Sequence, residues 1–192
     1  MTTKLSEAVY FIIEASNPSR MLLYDLPDTD GDEDWLSGCR FKTPPSEPVI
    51  VEIRKGYERA DLLPYFGTPP VISNAFHQVL LDAGVDNLDV YDAVLRSEDG
   101  SVEYSGFKAF NVIGLVSASD LSKTSFSSDN PSRFIDASID SLSIDNNKAR
   151  GALFFRLAEY VGAVIVHEQV KRIIEAKALP HVIFYEPNEY IS

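Results

Sequence analysis

Three histidines, one cysteine and a run of carboxylates are the residues of this 192-residue chain whose types could do chemistry. His77, His167 and His181 are scattered, and none has a second ligand at i+2 to i+4. His167-Glu168-Gln169-Val170-Lys171 starts like a zinc-binding helix, but its fifth position is a lysine, whose positive charge cannot replace a second imidazole. The plainer reading makes His167 a helix-start residue. Cys39 has no histidine beside it in sequence, so a small buried or half-buried thiol is expected rather than a nucleophile. Asp28-Thr29-Asp30-Gly31-Asp32-Glu33-Asp34 alternates aspartates as a calcium loop does, because Ca²⁺ needs several carboxylate oxygens converging in one tight turn. The register fails. Counting from Asp28, Glu33 stands where the turn needs glycine and Cys39 where a bidentate glutamate should close the loop. A solvated acidic loop is the better expectation, and no metal or cofactor site is predicted. No glycine-rich phosphate loop and no G-x-S-x-G elbow appears either. No catalytic constellation can be assembled from spacing alone.

The charge balance narrows the partners. Lys and Arg total 17 against 29 Asp and Glu, a net charge of −12. Such a surface repels phosphate backbones and anionic lipid, so neither nucleic acid nor membrane is an expected partner. A basic protein fits the sign, although acidity also serves solubility. A single cysteine suits a reducing compartment, and the apolar run Ala8 to Ile13 is too short and poorly flanked for a signal peptide. A cytoplasmic location follows as the expectation.

The elements that would position these residues are legible in part. Phe76, Val79, Leu80 and Ala83 recur at helical spacing, with Ser73 placed to cap the start and Gly84 to end it. Val170, Ile173, Ile174 and Lys177 repeat that spacing. Strands are expected at Val9–Ile13, Met21–Tyr24, Val49–Ile53, Leu88–Tyr91, Val94–Leu95, Val102–Tyr104, Phe110–Val116, Ala152–Leu157, Val164–Val166 and His181–Tyr185. Turns fall at Asn17–Ser19, Ser97–Ser101 and Asn146–Asn147, and Ala60 to Tyr65 reads as a short helical turn. Ile139, Leu142 and Ile144 should point inward, and the Ser-, Asp- and Asn-rich stretch 117–133 reads as a long surface loop. Segments 71–91 and 164–185 share a strand, helix, strand rhythm without enough identity to be called a repeat. These elements predict an α+β fold with a mixed, mostly antiparallel sheet, two principal helices and long surface loops. With no clear linker, residues 1–192 are expected to form a single domain, β-rich over 1–55 and α+β over 60–192.

Several of these segments, in order, resemble a family of bacterial immunity proteins from polymorphic toxin systems, the one numbered eleven. The resembling features are Trp35 with Gly38 and Phe41, then Asp61-Leu62-Leu63 and Gly67-Thr68-Pro69-Pro70-Val71-Ile72-Ser73. They continue with Gly84-Val85-Asp86-Asn87-Leu88, Tyr104, Asn111-Val112-Ile113-Gly114, Leu153 to Glu159 and the helix after Val164-Ile165-Val166. Two departures stand out: His167 where a serine-type cap is expected, and Pro180-His181 in place of a glycine turn. The resemblance implies a non-catalytic protein that neutralises a cognate toxin by direct stoichiometric binding, with no cofactor. Self-association is left open. On that reading the candidate contacts are Asp28, Asp30, Asp32, Glu33, Asp34, Asp120 and Asp129, in two loops that could meet a basic toxin. The competing expectations are a small enzyme built around Cys39, a histidine and carboxylates, or a generic protein-interaction module.

Overall fold

The computed structural model describes residues 10–16, 21–29, 34–126 and 139–191. Its strands are β1 (Tyr10–Ala15), β2 (Val49–Ile53), β3 (Val71–Ser73), β4 (Leu88–Ser97), β5 (Glu103–Val112), β6 (Leu115–Val116), β7 (Ser125–Phe126), β8 (Ile139–Ser141), β9 (Phe154–Leu157), β10 (Tyr160–His167) and β11 (Val182–Tyr185). The helices are α1 (Asn74–Asp82), the one-turn α2 (Asn146–Ala149) and α3 (Glu168–Ala176). One sheet runs β2-β4-β5-β3, a second runs β11-β1-β10-β9-β6, and β7 pairs with β8. All pairings are antiparallel except β2 with β4 and β6 with β9. This is the expected α+β fold, with α1 and α3 as the principal helices.

Alternation of side chains sorts the apolar residues into layers. Val49, Val51 and Ile53 of β2 turn inward while Ile50 and Glu52 face out. The inward set joins Tyr91, Leu95 and Phe107, and the 21–66 segment lays Met21, Leu23, Trp35, Phe41 and Phe66 over them. On the other side, Phe76, Leu80, Val170 and Ile174 of the two helices share one cluster with Ile72, Phe110, Ile13 and Val166 from both sheets. A third cluster, including Ile12, Phe155, Leu157 and Ile165, fills the far face of the five-stranded sheet against Ile139, Leu142 and Ala149. Each fully buried side chain of this size stabilises the fold by about 1.5–3 kcal/mol through the water it sheds.

The strand, helix, strand rhythm proves to be one arrangement built twice. β3 and β4 flank the antiparallel β5, with α1 between them in the chain; β10 and β11 flank the antiparallel β1, with α3 between them. Registers agree as well. Ala109 pairs with Val71 on one side and Tyr91 on the other, and Ile12 pairs with Ile165 and Tyr185. Along the chain Ser73 corresponds to His167, Phe76 to Val170, Leu80 to Ile174, Gly84 to Ala178 and Leu88 to Val182, at a constant offset. Both units are split β-α-β motifs.

Four local expectations need correction. Met21–Tyr24 is not a strand but makes a single bridge, Leu23 to Ile53, because the Met21 N–H turns away to the Asp61 carbonyl and only Leu22 and Tyr24 bond beside the bridge, to Arg54 and Glu52. Ala60 to Tyr65 has no helical turn; it is irregular chain in which the Asp61 carbonyl accepts the Met21 N–H and Tyr65 bridges Ile72. Together these two stretches lie along both outer edges of the four-stranded sheet. The apolar run Phe110–Val116 is cut at Ile113-Gly114, and its end, β6, belongs to the other sheet. Asn146-Asn147 opens α2 rather than a bare turn, because the Asp145 carboxylate accepts the Asn147 N–H. The expected turn at Asn17–Ser19 and the stretch 127–138 lie outside the described residues.

Candidate functional site

The first acidic loop is closed at its base by a tryptophan. Trp35 Nε1 donates to the Pro27 carbonyl at 3.0 Å, tying together the two ends of the 28–34 stretch. The indole is anchored in the core, edge-on to Phe41 at 4.9 Å and to Tyr91 at 5.7 Å. Asp28 and Asp34 are exposed. Asp34 also shapes the turn that follows, since its Oδ1 accepts the Leu36 N–H at 2.6 Å and its carbonyl accepts the Ser37 hydroxyl at 2.8 Å. Asp30, Asp32 and Glu33 lie outside the described residues.

Asp120, at the start of the second loop, is engaged in its own turn. Its carboxylate accepts from Lys123 Nζ at 2.8 Å and from the Ser122 N–H and hydroxyl at 3.1 and 2.6 Å. Lys123 first and Ser122 next hold its pKa down at about 2. Asp129 lies outside the described residues.

The fold brings the bases of these loops to one junction. The Gly38 carbonyl accepts the Gly114 N–H at 2.7 Å, and the Cys39 carbonyl accepts Asn111 Nδ2 at 2.5 Å. Leu115, at the head of the second loop, lies over Gly38. A Cβ on Gly38 would stand 2.8 Å from Leu115 Cγ, and its φ of +74° disfavours any other residue. Leu115 is nonetheless 40 % exposed. From it a groove of about 660 Å³ runs along Val116 and Ser117 to α2 and the residues just after it, where Lys148 and Arg150 line it. Sequence reading missed this groove, because Leu115 sat inside Phe110–Val116, which was expected to be one continuous strand. The turn residues Ile113-Gly114 were the signal that the run ends before it.

Two buried charges stand on β9 and just beyond it. Arg156 is wholly inaccessible; its Nη1 donates to the Val161 carbonyl at 2.9 Å, while Nε and Nη2 have no partner. Burial lowers its pKa, against which the nearby Tyr65 and Asp34 act in turn. Glu159 Oε1 accepts the Ser117 hydroxyl at 2.5 Å, and its Oε2 is buried and unpartnered. Uncompensated buried charge is costly, so neither position is neutral packing. A charged pair inside the run from Phe154 to Glu159 was the legible signal.

The histidines sit on separate elements: His77 on α1, His167 at the start of α3 and His181 before β11 at φ +65°. His167 caps α3, its Nδ1 accepting the Gln169 N–H at 3.1 Å. Cys39 is exposed, not buried or half-buried, because the chain after Gly38 is held by its backbone carbonyl and leaves the thiol outside. Among the described residues there is no group of three or more His, Cys, Asp or Glu that could hold a metal ion. Nor is any described helix long and apolar enough to cross a membrane.

Fold and surface together define an α+β protein whose distinctive polar residues lie on loops at a sheet end. The chain belongs to the Immunity protein family (Imm11), whose profile matches residues 6–188. A comparison with curated proteins finds no match.

Proposed function

We propose that this protein neutralises a cognate bacterial toxin by direct stoichiometric binding, acting without catalysis and in the cytoplasm as one domain over residues 1–192. The family match over residues 6–188 carries this reading. The toxin is basic on its contact face. A net charge of −12 would raise the encounter rate with such a face, and would make that rate fall with added salt. The contact surface is the junction around Leu115, flanked by the loop bearing Asp28, Asp30, Asp32, Glu33 and Asp34 and by the loop bearing Asp120 and Asp129. Loops on a rigid scaffold commonly carry recognition, and here Trp35 and Gly38 supply the rigid base.

The test is a pull-down with tagged protein from the native cell, with mass spectrometry, at low and high salt. One stoichiometric partner whose expression alone stops growth, and whose effect this protein reverses, is the expected result. Recovery of no partner from cells that express the neighbouring genes overturns the reading. Asp28→Asn with Asp34→Asn should slow association and flatten its salt dependence while leaving dissociation nearly unchanged.

A further inference from the structure

A small cleft opens where two strands of the five-stranded sheet part. β1 and β10 are paired from Tyr10–His167 to Ile12–Ile165, and the ladder stops there, although β1 stays paired with β11 through Ala15. β10 is irregular between Tyr160 and Val164. Gly162 lies in that irregularity, where a Cβ would come within 2.9 Å of the Tyr160 ring. The cleft holds about 200 Å³, and Glu14, Tyr65, Phe66, Gly67, Thr68 and Gly162 are among its lining residues.

Its chemistry is one-sided. Among the described residues Glu14 is the charged one of the lining, and no lysine or arginine is found there. Two other clefts differ: Lys55 and Arg59 share one with Glu58 and Asp99, and Lys148 and Arg150 line the groove beside Leu115. The Tyr190 hydroxyl, near enough to Glu14 to feel its charge, is pushed up in pKa, by burial first and then by that charge, so it stays neutral and able to donate to the carboxylate. Tyr65 is likewise raised by burial and remains a neutral wall. Arg156, bonded to the Val161 carbonyl, is not among the residues that line the cleft.

We infer that this cleft receives one lysine or arginine side chain of the toxin, an inference that rests on the neutralisation proposed above. The volume is below the roughly 300–1,000 Å³ of small-molecule sites and on the scale of one long side chain. An anion would face the Glu14 charge directly. A calcium ion would find one carboxylate where it needs six or more oxygens. A cationic side chain meets the carboxylate with its head and the aromatic residues with its methylene stem, and aromatic faces also attract the charge itself. Half-enclosed, such a pair interacts more strongly than one on the open surface.

The test uses the captured toxin and measures its Kd for wild type, Glu14→Gln and Thr68→Lys, each checked for an unchanged melting temperature. Glu14→Gln keeps the size and can still accept from Tyr190, yet should weaken binding by about 30-fold or more. Thr68→Lys starts from an exposed residue and fills the cleft with the chain's own ammonium, with a loss of similar size. Alanine substitution of the toxin's lysines and arginines should then find one that weakens wild-type binding but costs Glu14→Gln nothing further. If the toxin binds both variants as it binds wild type, the cleft is overturned while neutralisation stands. If wild type captures no toxin, the functional reading fails and takes the cleft with it.

Discussion

The two split β-α-β units agree in register and disagree in nearly every residue that ends their helices. In the first, Ser73 caps α1 through its hydroxyl at 3.1 Å and Gly84 follows the helix at φ +86°. In the second, the imidazole of His167 caps α3 and Ala178 takes the left-handed position at φ +49°. One contact has even exchanged its partners. Lys171 of α3 lies 4.7 Å from the Phe11 ring of β1, whereas at the matching places α1 carries His77 and β5 carries Lys108. Architecture thus rests on where apolar side chains fall, and the polar residues at helix ends and on the helix face can be replaced by others of the same capability. That explains why the repeat is plain in the pairing of strands and invisible as identity.

The hardest test of this equivalence is in the shared core. Leu80→Ala and Ile174→Ala remove matching, fully buried side chains from one cluster, and each should cost about 3 kcal/mol in urea denaturation. A cost confined to one of them would break the equivalence. Next come the caps: Ser73→Ala should cost about 1 kcal/mol. His167→Ala should cost about as much, since it also loses the edge-on contact with Tyr10 at 5.4 Å; His167→Ser should recover about half of that by restoring the cap. At the helix ends the two units should respond with opposite signs. Gly84→Ala forces a Cβ into φ +86° and should cost about 1 kcal/mol, while Ala178→Gly should gain about half as much.

The smallest effect is a pH dependence carried by His77 of the first unit. Burial first, and the Lys108 charge second, lower the pKa of His77 in the fold. The unfolded chain therefore takes up the proton at a higher pH than the folded one. His77 costs the fold nothing above its unfolded pKa, and stability is lost as pH falls from there through the lower folded value. Denaturation midpoints at pH 8 and pH 5 should converge less for wild type than for His77→Gln. Equal losses in both proteins would remove His77 from the account.

Helix periods and turn residues made α1, α3, their cap positions and most strands legible from sequence, because these depend on local spacing. What escaped depends on partners far along the chain. Met21–Tyr24 has the composition of a strand but borders β2 at one bridge, and nothing in residues 110–116 says that the two sheets divide them. The candidate surface was legible as acidic loops but not as a place. Asp28 and Asp120 are distant in sequence, and the link between their loops is a backbone bond from Gly114 to Gly38, which no side-chain pattern encodes. Arg156 and Glu159 were visible as charges in an apolar run, yet only the packed β9 shows them buried.

The strand at the centre of the second unit is made first and completed last. β1 waits, with Tyr10 destined for His167 and Ala15 for Val182, until nearly the whole chain has been synthesised. At about 5–20 residues per second, that delay is roughly ten to thirty seconds on the ribosome. The Glu14 cleft, formed by the parting of β1 from β10, does not exist until then. A half-made chain therefore carries Glu14 and Tyr65 but not yet the cleft that they line together.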